Sequence, residues 1–206
     1  MTITNVVPKR KGLSALYIDG EFALKIDTET FLVSKFSVGD EITDEELKQL
    51  IDSSGEKRAK EKALWLISYR DHSKKELTEK VSKTSDSVSA QKAVERLEEL
   101  GLVNDEKFAR RYAEQLLFSK NLSKKGAKYK LVEKGIDREL ADEILEEFEV
   151  DPKEQIRAII DSKYRTVITD EKGKRRAVAS LQRKGFGWSD IKSVLEEYIE
   201  DEYYEV

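Results

Sequence analysis

Cysteine is absent from the 206 residues, histidine occurs once, and proline only twice. No cysteine means no disulfide framework, no thiolate nucleophile and no cysteine-based zinc site. A single histidine excludes the paired-imidazole metal sites, and the many carboxylates fall on amphipathic helix surfaces where solvation is the ordinary explanation. Long apolar runs are missing too: none approaches the ~18 residues of a membrane-spanning helix. Met1 to Gly12 lacks the apolar stretch of a secretory signal. A soluble cytoplasmic protein without membrane contact, and with neither metal nor cofactor, is expected.

What is present is charge. Lys, Arg, Asp and Glu make up 39% of the chain against 38% hydrophobic residues, with a formal net charge of −4. An average chain is about 25% charged, so this composition favours thin cores with much surface per residue.

The first forty residues read differently from the rest. Leu13–Ile18 and Glu21–Ile26 form two short strands around Asp19-Gly20, a pair suited to the positive φ angles of a type I′ turn. Thr2–Val7 adds a strand before Pro8, Phe31–Phe36 is expected to add another, and Gly39-Asp40 closes the unit. Thr43 then reads as an N-cap with Glu46 completing a capping box. Ser53-Ser54-Gly55 is expected to end that helix.

From Glu56 onward the apolar period is helical. Narrow stripes recur at Ala59/Ala63/Leu66/Ile67, Ala90/Ala93/Val94/Leu97 and Phe108/Ala109/Tyr112/Ala113/Leu116. Others follow at Leu140/Ala141/Ile144/Leu145/Phe148, Ile156/Ile159/Ile160 and Ile191/Val194/Leu195/Tyr198. These helices repeat at about fifty residues: Leu131-Val132-Glu133-Lys134-Gly135-Ile136 returns as Leu181-Gln182-Arg183-Lys184-Gly185-Phe186. In the first copy the slot holds Val81-Ser82-Lys83-Thr84-Ser85-Asp86. Gly135 and Gly185 fall where a helix C-terminus needs a left-handed residue. Ile136 with Ala141, and Phe186 with Ile191, then make the same hydrophobic staple twice.

The fold expected is mainly α: three tandem three-helix repeats behind a small β-rich extension. The divisions read as 1–42 for the β-hairpin extension, 43–55 for a connecting helix, and 56–103, 104–150 and 151–206 for the repeats, the last with an acidic tail.

Charge is segregated within the repeats. Lys120 to Lys134 holds six lysines against Glu133 alone, and Lys172 to Lys184 holds six bases and no acid. Asp137 to Glu149 then holds seven acids with Arg138, and Glu196 to Glu205 six acids and no base. Two readings stand: a basic stripe facing an anionic partner, or neighbouring helices that neutralise each other on solvated faces.

Catalytic patterns are lacking. His72 lies in the polar turn Arg70-Asp71-His72-Ser73, where Ser73 and Glu76 form a second capping box. Gly185-Phe186-Gly187 lacks the flanking strand and the Lys-Ser/Thr of a phosphate-binding loop. Trp65, Tyr69 and Phe118 have helical spacing and are read as core, although aromatics of this kind also stack on bases. A non-enzymatic role is expected.

Ser68-Tyr69-Arg70-Asp71-His72-Ser73-Lys74-Lys75-Glu76-Leu77 resembles the opening motif of the RecX family, bacterial regulators of the RecA recombinase. Leu100-Gly101-Leu102-Val103-Asn104-Asp105-Glu106-Lys107-Phe108-Ala109 is similar to the family's most distinctive stretch. Leu181–Phe186 with Trp188 and Ile191 resembles its third-repeat signature. Thr84-Ser85 stands where Lys-Gly is usual, and members with such an N-terminal extension often carry further C-terminal repeats.

The resemblance implies a monomeric, non-catalytic protein that binds RecA or the RecA–DNA filament. It would restrain ATP hydrolysis, strand exchange and the co-protease activity behind the SOS response, with at most weak DNA binding of its own. The alternative is a helical DNA-binding protein that acts without RecA. Contact with DNA phosphates or an acidic RecA surface is expected from Lys120, Lys124, Lys125, Lys128 and Lys130 in the second repeat. Lys174, Arg175, Arg176 and Arg183 take that role in the third, with Arg70 and Arg111 as further candidates.

Overall fold

The structure, a computed structural model, describes residues 1–168 and 170–204; of residues 199–204 it describes the backbone only. The last acid of the tail, Glu205, therefore lies outside the described residues. The chain divides into two units, Met1–Asn104 and the remainder from Asp105.

The first unit begins with an antiparallel sheet of β1 (Ile3–Pro8), β2 (Leu13–Ile18) and β3 (Glu21–Asp27), in that order. Asp19 and Gly20 take φ angles of 51° and 85°, so the β2–β3 turn has the two left-handed residues its sequence predicts. One sheet face carries Ile3, Leu16, Ile18 and Ile26, which pack with Phe31, Ile42 and Leu50.

Phe31–Phe36 is not a strand. Thr28–Val33 forms a short helix, α1, because Asp27 caps it: Asp27 Oδ1 accepts from Thr30 N at 2.8 Å and from Thr30 Oγ1 at 3.0 Å. The helix buries Phe31 and leaves Leu32 and Val33 exposed.

Helix α2 (Asp44–Tyr69) starts at the expected capping box, with Thr43 N donating to Glu46 Oε2 at 3.0 Å and Glu46 N to Thr43 Oγ1 at 3.2 Å. A hydrogen bond from Lys35, then those from Thr43, push the Glu46 carboxyl down to about 2.

The helix does not end at Ser53-Ser54-Gly55 but continues to Tyr69, so no break separates its two halves. Ser54 is buried and its Oγ accepts from Asp27 N at 2.8 Å. A Cβ on Gly55 would stand 3.0 Å from Ser89 Oγ. These small residues serve packing on both sides of the helix, and its backbone ladder runs through them.

The C-terminal half of α2 joins α3 (Lys74–Val81) and α4 (Ser87–Glu99) around Ala59, Ala63, Leu77, Val81, Ala90, Val94 and Leu97. Trp65 and Tyr69, read as core from their spacing, are on the surface at 50% and 73% exposure, edge to face at 4.7 Å. Phe118 is likewise exposed. The core face of α2 runs through Ala59 and Ala63, with Leu66 and Ile67 partly buried beside them, and leaves Trp65 and Tyr69 outside it.

The second unit contains two further three-helix groups. The first is α5 (Asp105–Glu114), α6 (Lys124–Glu133) and α7 (Arg138–Glu146), with a π-helical turn at Gln115–Ser119 between α5 and α6. Its core includes Phe108, Ala113, Leu116, Leu131, Ile136 and Ile144. The second is α8 (Pro152–Lys163), α9 (Glu171–Arg183) and α10 (Trp188–Tyr204), packed around Ile156, Ile160, Leu181, Phe186, Ile191 and Val194.

Gly135 and Gly185 turn the chain at φ 88° and 89°, and the residues of both staples are buried. The equivalent turn after α3 uses Ser85 N to Val81 O at 3.1 Å and no left-handed residue, which accounts for the missing glycine there.

Candidate functional site

Ser123 caps α6, its Oγ accepting from Gly126 N at 3.1 Å. The same residue receives the C-terminus of α9, since Ser123 N and Ser123 Oγ both donate to Lys184 O, at 3.1 and 3.2 Å. The negative end of one helix dipole therefore abuts the positive end of another.

Only glycine permits this approach. A Cβ on Gly126 would fall 2.2 Å from Lys184 O, and one on Gly185 2.6 Å from Gly126 N. From the α8 side, Gln155 Nε2 donates to Leu117 O at 2.9 Å and Leu122 O at 3.3 Å, satisfying a carbonyl that the π-helical turn leaves free. Neither Gln155 nor the π turn was legible in the sequence, because glutamine on a helix carries no positional signal.

This junction gathers cations. Lys184 Nζ donates to Lys120 O, while Lys124 and Lys125 follow directly on Ser123 and Arg183 precedes Lys184. Burial, then the charges of Lys163 and Lys120, hold the Lys184 ammonium below its usual pKa. Lys174, Arg175 and Arg176 sit further back on α9, with Arg176 seven residues and so about 10 Å from Arg183.

The structure splits the expected cations into two groups. Lys128 pairs with Asp142 of α7 at 2.5 Å, Lys130 with Glu133 at 2.7 Å, and Arg175 with Glu171 at 3.7 Å. Lys120, Lys124, Lys125, Lys174, Arg176 and Arg183 have no carboxylate partner among the described residues. Neutralisation between neighbouring helices is seen at Lys128–Asp142, whereas the Lys130 and Arg175 pairs lie within their own helices.

Arg70 belongs elsewhere. Its guanidinium spans Glu76 at 2.7 and 3.2 Å and donates to Asp71 O at 2.8 Å. Glu76 is buried, with Lys80 at 3.5 Å on its other side. Arg111 is exposed on α5. Its neighbour Arg110 is held between Glu106 and Glu147, at 2.5 and 2.8 Å.

His72 is buried; its Nδ1 lies 2.8 Å from Arg70 O and its Nε2 3.0 Å from Lys80 Nζ. Burial, reinforced by the Arg70 and Lys80 charges, lowers its pKa. A neutral ring donating from Nδ1 and accepting from Lys80 satisfies both contacts. His72 thus ties α3 to the end of α2. Among the described residues no cluster of His, Cys, Asp and Glu could hold a metal ion, and no helix is long and apolar enough to cross a membrane.

Fold and site together define a tandem three-helix-repeat protein with a cationic junction between its last two repeats. The family description "RecX, second three-helix domain" matches residues 104–145, and "RecX, third three-helix domain" matches residues 149–195. Regulatory protein RecX of Clostridium beijerinckii is 33% identical over 146 residues, covering 70% of this chain and 68% of the relative. That of Clostridioides difficile is 29% identical over 194 residues, covering 93% and 92%.

A crystal structure of regulatory protein RecX shares the fold at a TM-score of 0.62 and 18% identity, covering 95% of this chain and 98% of the other. RecX from Lactobacillus salivarius does so at 0.57 and 22%, covering 71% and 97%. The chain belongs to the RecX family of regulatory proteins.

Proposed function

We propose that this protein is a non-catalytic, cytoplasmic, monomeric regulator that binds RecA or the RecA–DNA filament. In this reading it restrains ATP hydrolysis, strand exchange and co-protease activity, and so tempers the SOS response. Family membership supports the reading, and one structural observation carries it to particular residues. At the α9–α6 junction, Lys120, Lys124, Lys125 and Arg183 lie together without carboxylate partners among the described residues, while Lys128 and Lys130 a turn away are neutralised. Unpaired cations on a rigid backbone contact are placed to meet phosphates or acidic side chains. The repeat divisions at 56–103, 104–150 and 151–206 are proposed as its working units.

The test is RecA's DNA-dependent ATPase with the protein added below equimolar amounts. The expected result is a progressive fall in rate; an unchanged rate at equimolar protein would overturn the proposal.

A further inference from the structure

The sheet of the first unit has two faces, and only one is used by its core. The other carries Tyr17 and Phe22, which pair across β2 and β3 with ring centroids 6.0 Å apart. Phe22 is 55% exposed. On the same face Lys25 pairs with Ala15 in the register, so a lysine stands beside a small residue on the central strand. The β1–β2 loop then presents Lys9, Arg10 and Lys11, all exposed. From Tyr17 to the loop end at Leu13 is roughly 13 Å along the strand.

Some cations of this unit are held by acids and others are not. Lys35 and Lys57 of the same unit are neutralised, by Glu46 at 2.7 Å and by Asp27 and Glu29 at 3.0 and 2.6 Å. Lys9, Arg10, Lys11 and Lys25 have no carboxylate partner among the described residues. An exposed Phe22 beside a half-buried Tyr17, followed by four cations without carboxylate partners along one strand direction, resembles the pattern by which sheet surfaces hold single strands, with bases stacked and phosphates neutralised.

We propose that the outer face of this sheet is a binding surface for single-stranded DNA, separate from the cationic junction of the second unit. Bases stack on Phe22 and Tyr17, and Lys9, Arg10, Lys11 and Lys25 neutralise the backbone.

The experiment is fluorescence anisotropy of a labelled 20-nucleotide oligothymidylate on the full chain, between 50 and 200 mM salt. It is run in a Lys124→Glu/Lys125→Glu background so that the junction does not contribute. In that background oligothymidylate still binds. Phe22→Ser, a change at an exposed position, weakens binding at least five-fold, and Lys9→Gln/Lys11→Gln lowers the salt exponent by about 1.4. Far-UV circular dichroism checks that both variants stay folded.

No binding in the background, or both variants within two-fold of it, overturns the proposal. So does a loss confined to the lysine variant, which would leave stacking without a role, or oligouridylate binding ten-fold tighter than oligothymidylate. If the variants bind oligothymidylate normally but lose their effect on RecA, the face docks a protein and the proposal fails. The RecA ATPase assay is scored independently, so failure here leaves the proposed function standing.

Discussion

Lys184 O accepts two hydrogen bonds from Ser123, one from its backbone N at 3.1 Å and one from its Oγ at 3.2 Å. Sixty-one residues apart, the two join the end of α9 to the start of α6, and two glycines make the approach possible. Gly126→Ala should therefore destabilise the second unit by about 1–3 kcal/mol through overpacking against the Lys184 carbonyl. Urea unfolding followed by circular dichroism would show the shift. Unchanged stability would mean that the junction gives way freely.

Gly135→Val tests a different cause. There the cost comes from the φ of 88°, which a β-branched side chain opposes by about 1–2 kcal/mol or more. The same unfolding measurement should register that loss.

The two groups of lysines predict opposite phenotypes. Lys124→Glu/Lys125→Glu should weaken RecA inhibition at least five-fold with the melting temperature unchanged. Lys128→Glu should act on stability instead, because it sets a second carboxylate against Asp142; a surface pair of this kind is worth about 1 kcal/mol or less. If both variants inhibit like the parent, the basic face is a solvated surface.

His72 makes the first unit sensitive to pH. Its folded pKa lies below the unfolded value of about 6.5, so below that point the unfolded chain binds more protons than the folded one. The stabilisation is complete above pH 6.5 and is lost as pH falls toward the folded pKa. Unfolding of the first unit at pH 7.5 and 5.5 should show this drop. His72→Asn, which keeps a donor toward Arg70 O, should flatten it in that window.

Asp27 joins three elements, and its removal should be costly. It ends β3, caps α1 through Thr30, and lies 3.0 Å from Lys57 of α2. Burial raises its pKa, yet the Thr30 and Lys57 hydrogen bonds outweigh that and leave it below the usual carboxylate value. Asp27→Ala should cost about 1–2 kcal/mol, within the range for a lost helix cap. Asp27→Asn, which keeps an acceptor for Thr30 N but not the charge facing Lys57, should cost less. Thermal unfolding of the three proteins ranks them.

Local hydrogen-bonding rules made much of this protein legible before folding. Asp19-Gly20 placed the hairpin, Thr43 and Glu46 placed the start of α2, and Gly135 and Gly185 marked the repeat turns. The same rules misled where long-range packing overrode them. Ser54-Gly55 resembles a helix end, yet Asp27 and Ser89 occupy the space that its small side chains leave. Trp65 and Tyr69 have core spacing, but Ala59 and Ala63 already form the contact face.

The β2–β3 turn, the capping box that starts α2 and the glycine turns that mark the repeat were determined by the sequence alone, since each depends on residues within a few positions of one another. Tertiary structure decided which cations remain available. Lys128 is neutralised only because α7 brings Asp142 beside it, whereas Lys124, beside the Ser123–Lys184 contact, has no carboxylate partner among the described residues. An ion pair forms only within a few ångströms, and separations of that kind between distant residues exist only once the helices have packed.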